Sequence, residues 1–176
     1  MAAMPIAPSN GIELCYDTFG EPDDPTMLLV MGLGSQMIHW PDDFCAALAA
    51  RGYQVVRFDN RDMGESTWFD GADTPGVQAA IGGGDVAVPY LLSDMADDAV
   101  GLLDHVGTDR AHVLGVSMGG MIAQTIAIRH PARVASLTSV MSTTGDPDVG
   151  TPTSMAMSAL MAPPAPTREA YQDAAV

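Results

Sequence analysis

The sequence predicts an α/β protein: a mostly parallel sheet with helices on both of its faces. Three observations carry that expectation. Strand-like runs recur at residues 26–31 (TMLLVM), 54–58 (QVVRF), 111–114 (AHVL) and 134–141. The first is a continuous apolar run, the mark of a strand buried on both faces. Residues 41–51, 93–106 and 119–130 lie between and beside these runs and carry a helical pattern. Strand and helix therefore alternate, as they do in a sheet wound with right-handed crossovers.

In chain order, residues 12–18 alternate as a strand, and the turn-rich stretch from Gly20 to Pro25 breaks it. The TMLLVM strand runs into the flexible loop Gly32-Leu33-Gly34-Ser35. Residues 41–51 read as a helix with Pro41 in its first turn, Phe44, Leu48 and neighbouring alanines on one face, and Gly52 at its end. QVVRF is followed by a polar run, Asp59-Asn60-Arg61-Asp62, then Met63-Gly64-Glu65-Ser66. Residues 70–89 hold many Gly and Pro without a period and read as a long surface loop. The next helix opens near Ser93, an expected N-cap, with Asp94 in the first turn. Met95, Ala99, Leu102, Leu103 and Val106 form its stripe, and Gly107 closes it. Residues 119–130 are apolar nearly all round, which predicts a central helix. From residue 145 the chain turns rich in Pro, Met, Ser, Thr and Ala. The expected division is a core over residues 1–142 and a lid segment or tail over 143–176.

Composition narrows the function classes. The chain has 176 residues, 47% of them hydrophobic, and a net charge of −15. That balance repels nucleic acid and anionic membranes, and seven basic residues cannot assemble a phosphate groove. Cys15 and Cys45 stand far apart, in no metal-ligand spacing, and read as buried thiols of a reducing compartment. Neither a signal sequence nor a run approaching the ~20 apolar residues of a membrane span is visible, so a cytoplasmic location is expected. Gly82-Gly83-Gly84 has no following Lys-Ser/Thr and is no phosphate loop. The thirteen methionines are read as gap-fillers.

One motif carries chemistry. Gly115-Val116-Ser117-Met118-Gly119 follows a strand and opens a helix, the setting of a strained turn that presents a nucleophilic serine. Such a turn needs tiny neighbours, and Gly115, Gly119 and Gly120 supply them. The helix N-terminus places backbone N–H groups near a developing oxyanion. The second donor is expected from the loop after TMLLVM. The backbone N–H groups of Leu33 and Met118 are therefore assigned to an oxyanion hole, with Gly34 as the neighbouring alternative.

VMGLGSQMIHWPDDF, FDNRDMGEST and HVLGVSMGGMIAQTIAIRHPARVASL, taken together, resemble successive motifs of the α/β-hydrolase superfamily over roughly residues 12–142. Met-Gly after the strand and the Trp40-Pro41 step are similar to the branch that contains aclacinomycin methylesterase. The resemblance implies attack by Ser117 on the carbonyl of a small-molecule ester, an acyl-enzyme, and hydrolysis by water, with no metal or organic cofactor. It also implies that the polar run at 59–62 is a structural loop whose hydrogen bonds fix the loops near the serine.

The family order is serine, acid, histidine. His130 ends the helix that Ser117 opens, about 20 Å along its axis. His112 lies in the preceding strand, His105 on the previous helix, and only His39 lies near the oxyanion loop. Asp146 follows the last strand and is the weak candidate for the acid, or else a turn residue in Gly145-Asp146-Pro147. The fold is thus expected to be incomplete at the C-terminus, with the catalytic His and Asp beyond residue 176. The last strand would then have an uncovered edge open to self-association. Two alternatives stand beside the esterase: a hydrolase relic or fragment that binds without catalysing, and a cofactor-free haloperoxidase. Haloalkane dehalogenases carry Asp where this chain carries Ser117.

Overall fold

In the computed structural model, residues 4–71, 88–146 and 148–160 are described. The chain divides into two compact units, Met1–Thr144 and Gly145–Val176. The first holds six strands: β1 (Ile6–Ser9), β2 (Ile12–Phe19), β3 (Thr26–Val30), β4 (Gln54–Phe58), β5 (Ala111–Val116) and β6 (Val134–Val140). Their order across the sheet is β1-β2-β4-β3-β5-β6. β4, β3, β5 and β6 are parallel, while β2 joins β4, and β1 joins β2, in antiparallel register. The mostly parallel sheet expected from the strand-like runs is therefore present.

Period-two alternation along the central strands makes two cores. Leu28 and Val30 of β3, Val56 and Phe58 of β4, and Val113 of β5 face one side. There they meet Met95, Ala99, Leu102 and Leu103 of α2 (Leu92–His105) and Ile122, Ala123 and Ile126 of α3 (Met118–Arg129). Leu29 and Val55 face the opposite side, with Met31, Trp40 and Cys45, the last on α1 (Asp42–Ala49). Helices thus cover both faces. Cys15 and Cys45 are both buried free thiols.

The expected strand at 12–18 is the second arm of a hairpin with β1, whose turn residues, Asn10 (φ 48°) and Gly11 (φ 80°), have the two positive φ angles that favour Asn-Gly in hairpins. Three local expectations are corrected. Pro41 is the N-cap of α1 rather than part of its first turn, and α1 fully buries only Cys45. α2 starts before Ser93, and its entry is closed by Asp94, whose Oδ2 accepts the Leu91 N–H at 2.7 Å. A carboxylate one turn into a helix reaches back to the N-cap amide, and Ser93 sits inside the helix with no such role. α3 is not buried all round: Ile128 is 80% exposed. This helix covers the β5–β6 end of the sheet, where β6 is the outermost strand among the described residues and is exposed along nearly its whole length.

The loop after β4 ties these layers together. Asp98 on α2 takes a bidentate pair from Arg61, 2.7 Å on each oxygen, and the Asn10 Nδ2–H at 2.9 Å. The Arg61 guanidinium also lies over the rings of Phe69 and Tyr90. Asp62 accepts the Phe69 N–H at 2.7 Å and the Tyr90 hydroxyl at 2.6 Å. The greater part of the loop expected over residues 70–89 lies outside the described residues.

The second unit contains the short helix α4 (Ser154–Leu160), where Thr153 Oγ1 accepts the Ala156 N–H at 3.2 Å. Among the described residues no helix is long and apolar enough to cross a membrane.

Candidate active site

Ser117 is the single residue between the end of β5 and the start of α3. Its backbone sits at φ 57°, ψ −124°, a conformation that L-residues rarely occupy. Hydrogen bonds hold it there from both sides. Its N–H donates to the Val140 carbonyl of β6, and its own carbonyl accepts the Gly120 N–H, each at 2.9 Å. The turn closes only because its neighbours lack side chains. A Cβ on Gly115 would stand 2.0 Å from the Gly119 carbonyl oxygen. One on Gly119 would stand 2.2 Å from the Val30 oxygen and 2.7 Å from that of Met31.

The serine opens into a cavity of about 360 Å³. Met31, Leu33, Trp40, Val116 and Met141 supply its apolar wall, and His39 and Ser35 its polar margin. None of the cavity's lining residues is an Asp, Glu, Lys or Arg. Met141 is itself held at φ 38°, so two side-chain-bearing residues at this cavity occupy left-handed backbone.

The loop joining β3 to α1 passes against the serine. A Cβ on Gly32 would lie 3.1 Å from Ser117 Cβ and 3.5 Å from its Oγ. Leu33 therefore comes to the same cavity as Ser117. Met118 opens α3, where first-turn N–H groups have no intrahelical acceptor and the helix dipole is positive. Among the described residues neither the Leu33 nor the Met118 N–H meets a hydrogen-bond acceptor. Gly34 (φ 69°) lies within the turn closed by the Ser35 N–H on the Gly32 carbonyl, and does not line the cavity.

The histidines are engaged elsewhere. His130 Nε2 lies 2.6 Å from Asp97 Oδ1, and His112 Nδ1 2.8 Å from Ser136 Oγ. His105 packs edge-on to Tyr16. His39 lines the cavity with its Nδ1 3.1 Å from the Gln36 carbonyl. No histidine hydrogen-bonds Ser117 among the described residues. Asp146 belongs to the second unit, where its Oδ1 accepts the Asp148 N–H at 2.9 Å, the pattern of an Asx-turn. Among the described residues no group of three or more His, Cys, Asp or Glu is arranged to hold a metal.

Arg57, which sequence reasoning did not single out, and two residues of the polar run at 59–62 hold the β3–α1 loop in place. Arg57, buried in β4, donates to the Trp40 carbonyl and pairs with Asp17 and Asp42 at 2.7 Å each. Asp59 Oδ1 accepts the Met37 N–H at 2.7 Å. Asn60 Nδ2 donates to the Met31 carbonyl at 3.0 Å. The signal for Arg57 was in QVVRF itself, since a charge inside a fully buried strand requires partners. Cys15, beside Asp59 and Glu65, has its thiol pushed up to about 11 by burial first and by those two carboxylates next. It is no thiolate at neutral pH.

The family model described as alpha/beta hydrolase fold matches residues 25–176. The chain belongs to the α/β-hydrolase fold family. It is similar to rhodomycin D methylesterase of Streptomyces sp. (strain C5), 35% identical over 127 residues, covering 72% of this chain and 38% of that one. It is also similar to 3-oxoadipate enol-lactonase 2 of Acinetobacter baylyi, 31% identical, covering 71% and 40%. Among solved structures, the enol-lactonase from Burkholderia xenovorans LB400 superposes with a TM-score of 0.63 at 28% identity, covering 78% of this chain and 46% of that one. The chain thus spans about two fifths of the length of the curated relatives it matches.

Proposed function

We propose that this α/β-hydrolase chain carries the nucleophile and oxyanion site of a carboxylic-ester hydrolase. In this reading Ser117 Oγ adds to the ester carbonyl carbon while its proton passes to a general base. The carbonyl oxygen becomes an oxyanion that accepts hydrogen bonds from the Leu33 and Met118 N–H groups. Collapse expels the alcohol, which takes up the proton, and leaves an acyl-serine. Water then adds to the acyl carbon and releases the acid. The observation that carries the reading is the strained Ser117 backbone at a cavity that Leu33 also lines, with the amides of Leu33 and of the adjoining Met118 both unengaged. Strain of this kind costs on the order of 1–3 kcal/mol and persists where function requires the geometry.

The uncharged, mostly apolar wall favours a neutral acyl group over an ionised one. The named activities of two relatives, a methylesterase and an enol-lactonase, both act on carboxylic esters, one open and one cyclic. A small apolar ester is the proposed substrate class, with a methyl ester of a larger apolar acid as its closest form. The general base is proposed to lie outside the four histidines of this chain, since each has another partner or place. Asp146 is proposed as a turn residue rather than the acid.

The test is covalent labelling with an alkyl fluorophosphonate, with imidazole added as the general base that the four histidines do not supply, read by intact-mass and peptide mass spectrometry. One adduct on Ser117, lost in Ser117→Ala and retained when each histidine is changed to Gln, is the expected result. A folded chain that stays unlabelled, or is labelled elsewhere, would overturn the reading. That no histidine hydrogen-bonds Ser117 among the described residues favours a second reading, in which the cavity binds an apolar ester without turning it over. Saturable binding of an ester that is recovered intact distinguishes it.

A further inference from the structure

The oxyanion site needs one donor from α3 and one from the β3–α1 loop, and these donors, Leu33 and Met118, stand 85 positions apart in the chain. Something must hold the loop donor in register. Three side chains of the β4 strand and loop reach it: Arg57 at Trp40, Asp59 at Met37 and Asn60 at Met31. Of these anchor points, Met31 is the closest in the chain to Leu33.

Met31 follows the last residue of β3, beyond the paired register with β4 and β5, so its carbonyl has no strand partner there. Asn60, only 2% exposed, gives its amide N–H to that oxygen across 29 residues of chain. A carbonyl only accepts, so the amide nitrogen must face it. The backbone of Gly119 presses on the same oxygen, close enough that a Cβ would stand 2.7 Å away. The Met31 carbonyl and the Gly32 N–H share one planar peptide unit. Fixing that plane fixes the direction in which the chain enters Gly32 and Leu33.

We infer that Asn60 is a positioning residue for the oxyanion site: its carboxamide locks the Met31–Gly32 peptide and so aims the Leu33 N–H at the space beside Ser117. The inference rests on the nucleophile and oxyanion roles proposed above. It gives one residue of the polar run after β4 a task distinct from that of Arg57, which holds Trp40 in the cavity wall, and of Asp59, which holds Met37.

Asn60→Asp tests it, because the side chain keeps its shape while an ionised carboxylate can only accept. Labelling by the fluorophosphonate is followed against reagent concentration and pH in wild type, Asn60→Asp and Asn60→Ala, each checked for folding by thermal melting. At pH 8 the maximal labelling rate of Asn60→Asp falls by about 10- to 100-fold, the scale of an oxyanion donor misplaced by about 1 Å, and half-saturation stays within about twofold. The ratio of Asn60→Asp to wild type climbs back as the new carboxyl is protonated and donates again. Asn60→Ala stays slow at every pH and serves if the aspartate variant does not fold. In ¹H–¹⁵N spectra the Gly32 and Leu33 amides shift in both variants and return at low pH only in Asn60→Asp. Unchanged maximal rates in folded variants, or a loss without pH recovery in Asn60→Asp, would overturn the inference. A wild-type chain that resists labelling overturns the Ser117 reading instead. The spectra then decide alone, and Leu33 and Gly32 amides that do not move dismiss Asn60.

Discussion

Replacing Ser117 by Ala and by Gly separates the two things this position does. Both changes remove the hydroxyl, so both abolish labelling. Alanine keeps a Cβ and with it the cost of holding φ 57°, ψ −124°, whereas glycine visits that region freely. Relief of such strain is worth about 1–3 kcal/mol, and the greater freedom of an unfolded glycine returns about 0.5–1 kcal/mol of it. Ser117→Gly is therefore expected to exceed Ser117→Ala in stability by up to about 2.5 kcal/mol, about 1 kcal/mol at the middle of both ranges. At about 2.1 cal/mol/K of unfolding entropy per residue, a unit the size of Met1–Thr144 has about 0.3 kcal/mol/K, so the melting temperature of Ser117→Gly should be the higher by roughly 4 °C and by at most about 8 °C. Differential scanning calorimetry of the two variants at one pH measures the difference. If Ser117→Gly melts below Ser117→Ala, the backbone at the turn is not strained, and the main support for the nucleophile is gone.

Gly119→Ala would set a Cβ 2.2 Å from the Val30 carbonyl, a backbone atom that cannot swing aside. A loss of about 3 kcal/mol or more is expected by denaturant titration, together with loss of labelling. Asp97 is drawn below the usual carboxylate range: burial opposes this, but hydrogen bonds from His130 and Arg129 outweigh it. Because its folded value is depressed, its contribution is present above the unfolded value of about 3.9 and is lost as pH falls through the folded one. Asp97→Asn should therefore match wild type at the bottom of the acid limb and fall below it above about pH 4. Urea titrations across pH 2–6 decide this, and added salt should shrink the gap, since the pair is partly exposed. Thr138 lies on β6, the edge strand among the described residues, whose seven residues carry no charge. Concentration-dependent association by sedimentation velocity is expected for wild type and should weaken in Thr138→Lys. A monomer at every concentration would dismiss edge pairing.

The parallel core was legible because TMLLVM is apolar on both faces and short strand-like runs alternate with helical ones along the chain. The turn at Ser117 was legible for a related reason, since glycines flank one serine between a strand and a helix. What escaped was non-local. Nothing near Asp98 in the chain announces that it will receive Arg61 and Asn10, because the match is made only when the hairpin, the β4 loop and α2 meet. Asn60 looks like one more polar residue in a polar run, and its value depends on a carbonyl left unpaired where β3 stops. The one-sided burial of α3 was hidden by its composition. An apolar helix at the rim of a sheet and one at its centre have the same sequence pattern, and neighbours decide which it is.

Asp62 holds Phe69 and Tyr90 with its two oxygens, so the backbone leaves and returns to the core at one clamped point. Such a clamp fixes how far apart its two jaws stand. Each doubling of the chain closed between two fixed points costs only about 0.6 kcal/mol in closure entropy. Asp62 thereby sets the span at which the β4 loop is joined to the approach to α2, and with it the place of the Arg61–Asp98 pair.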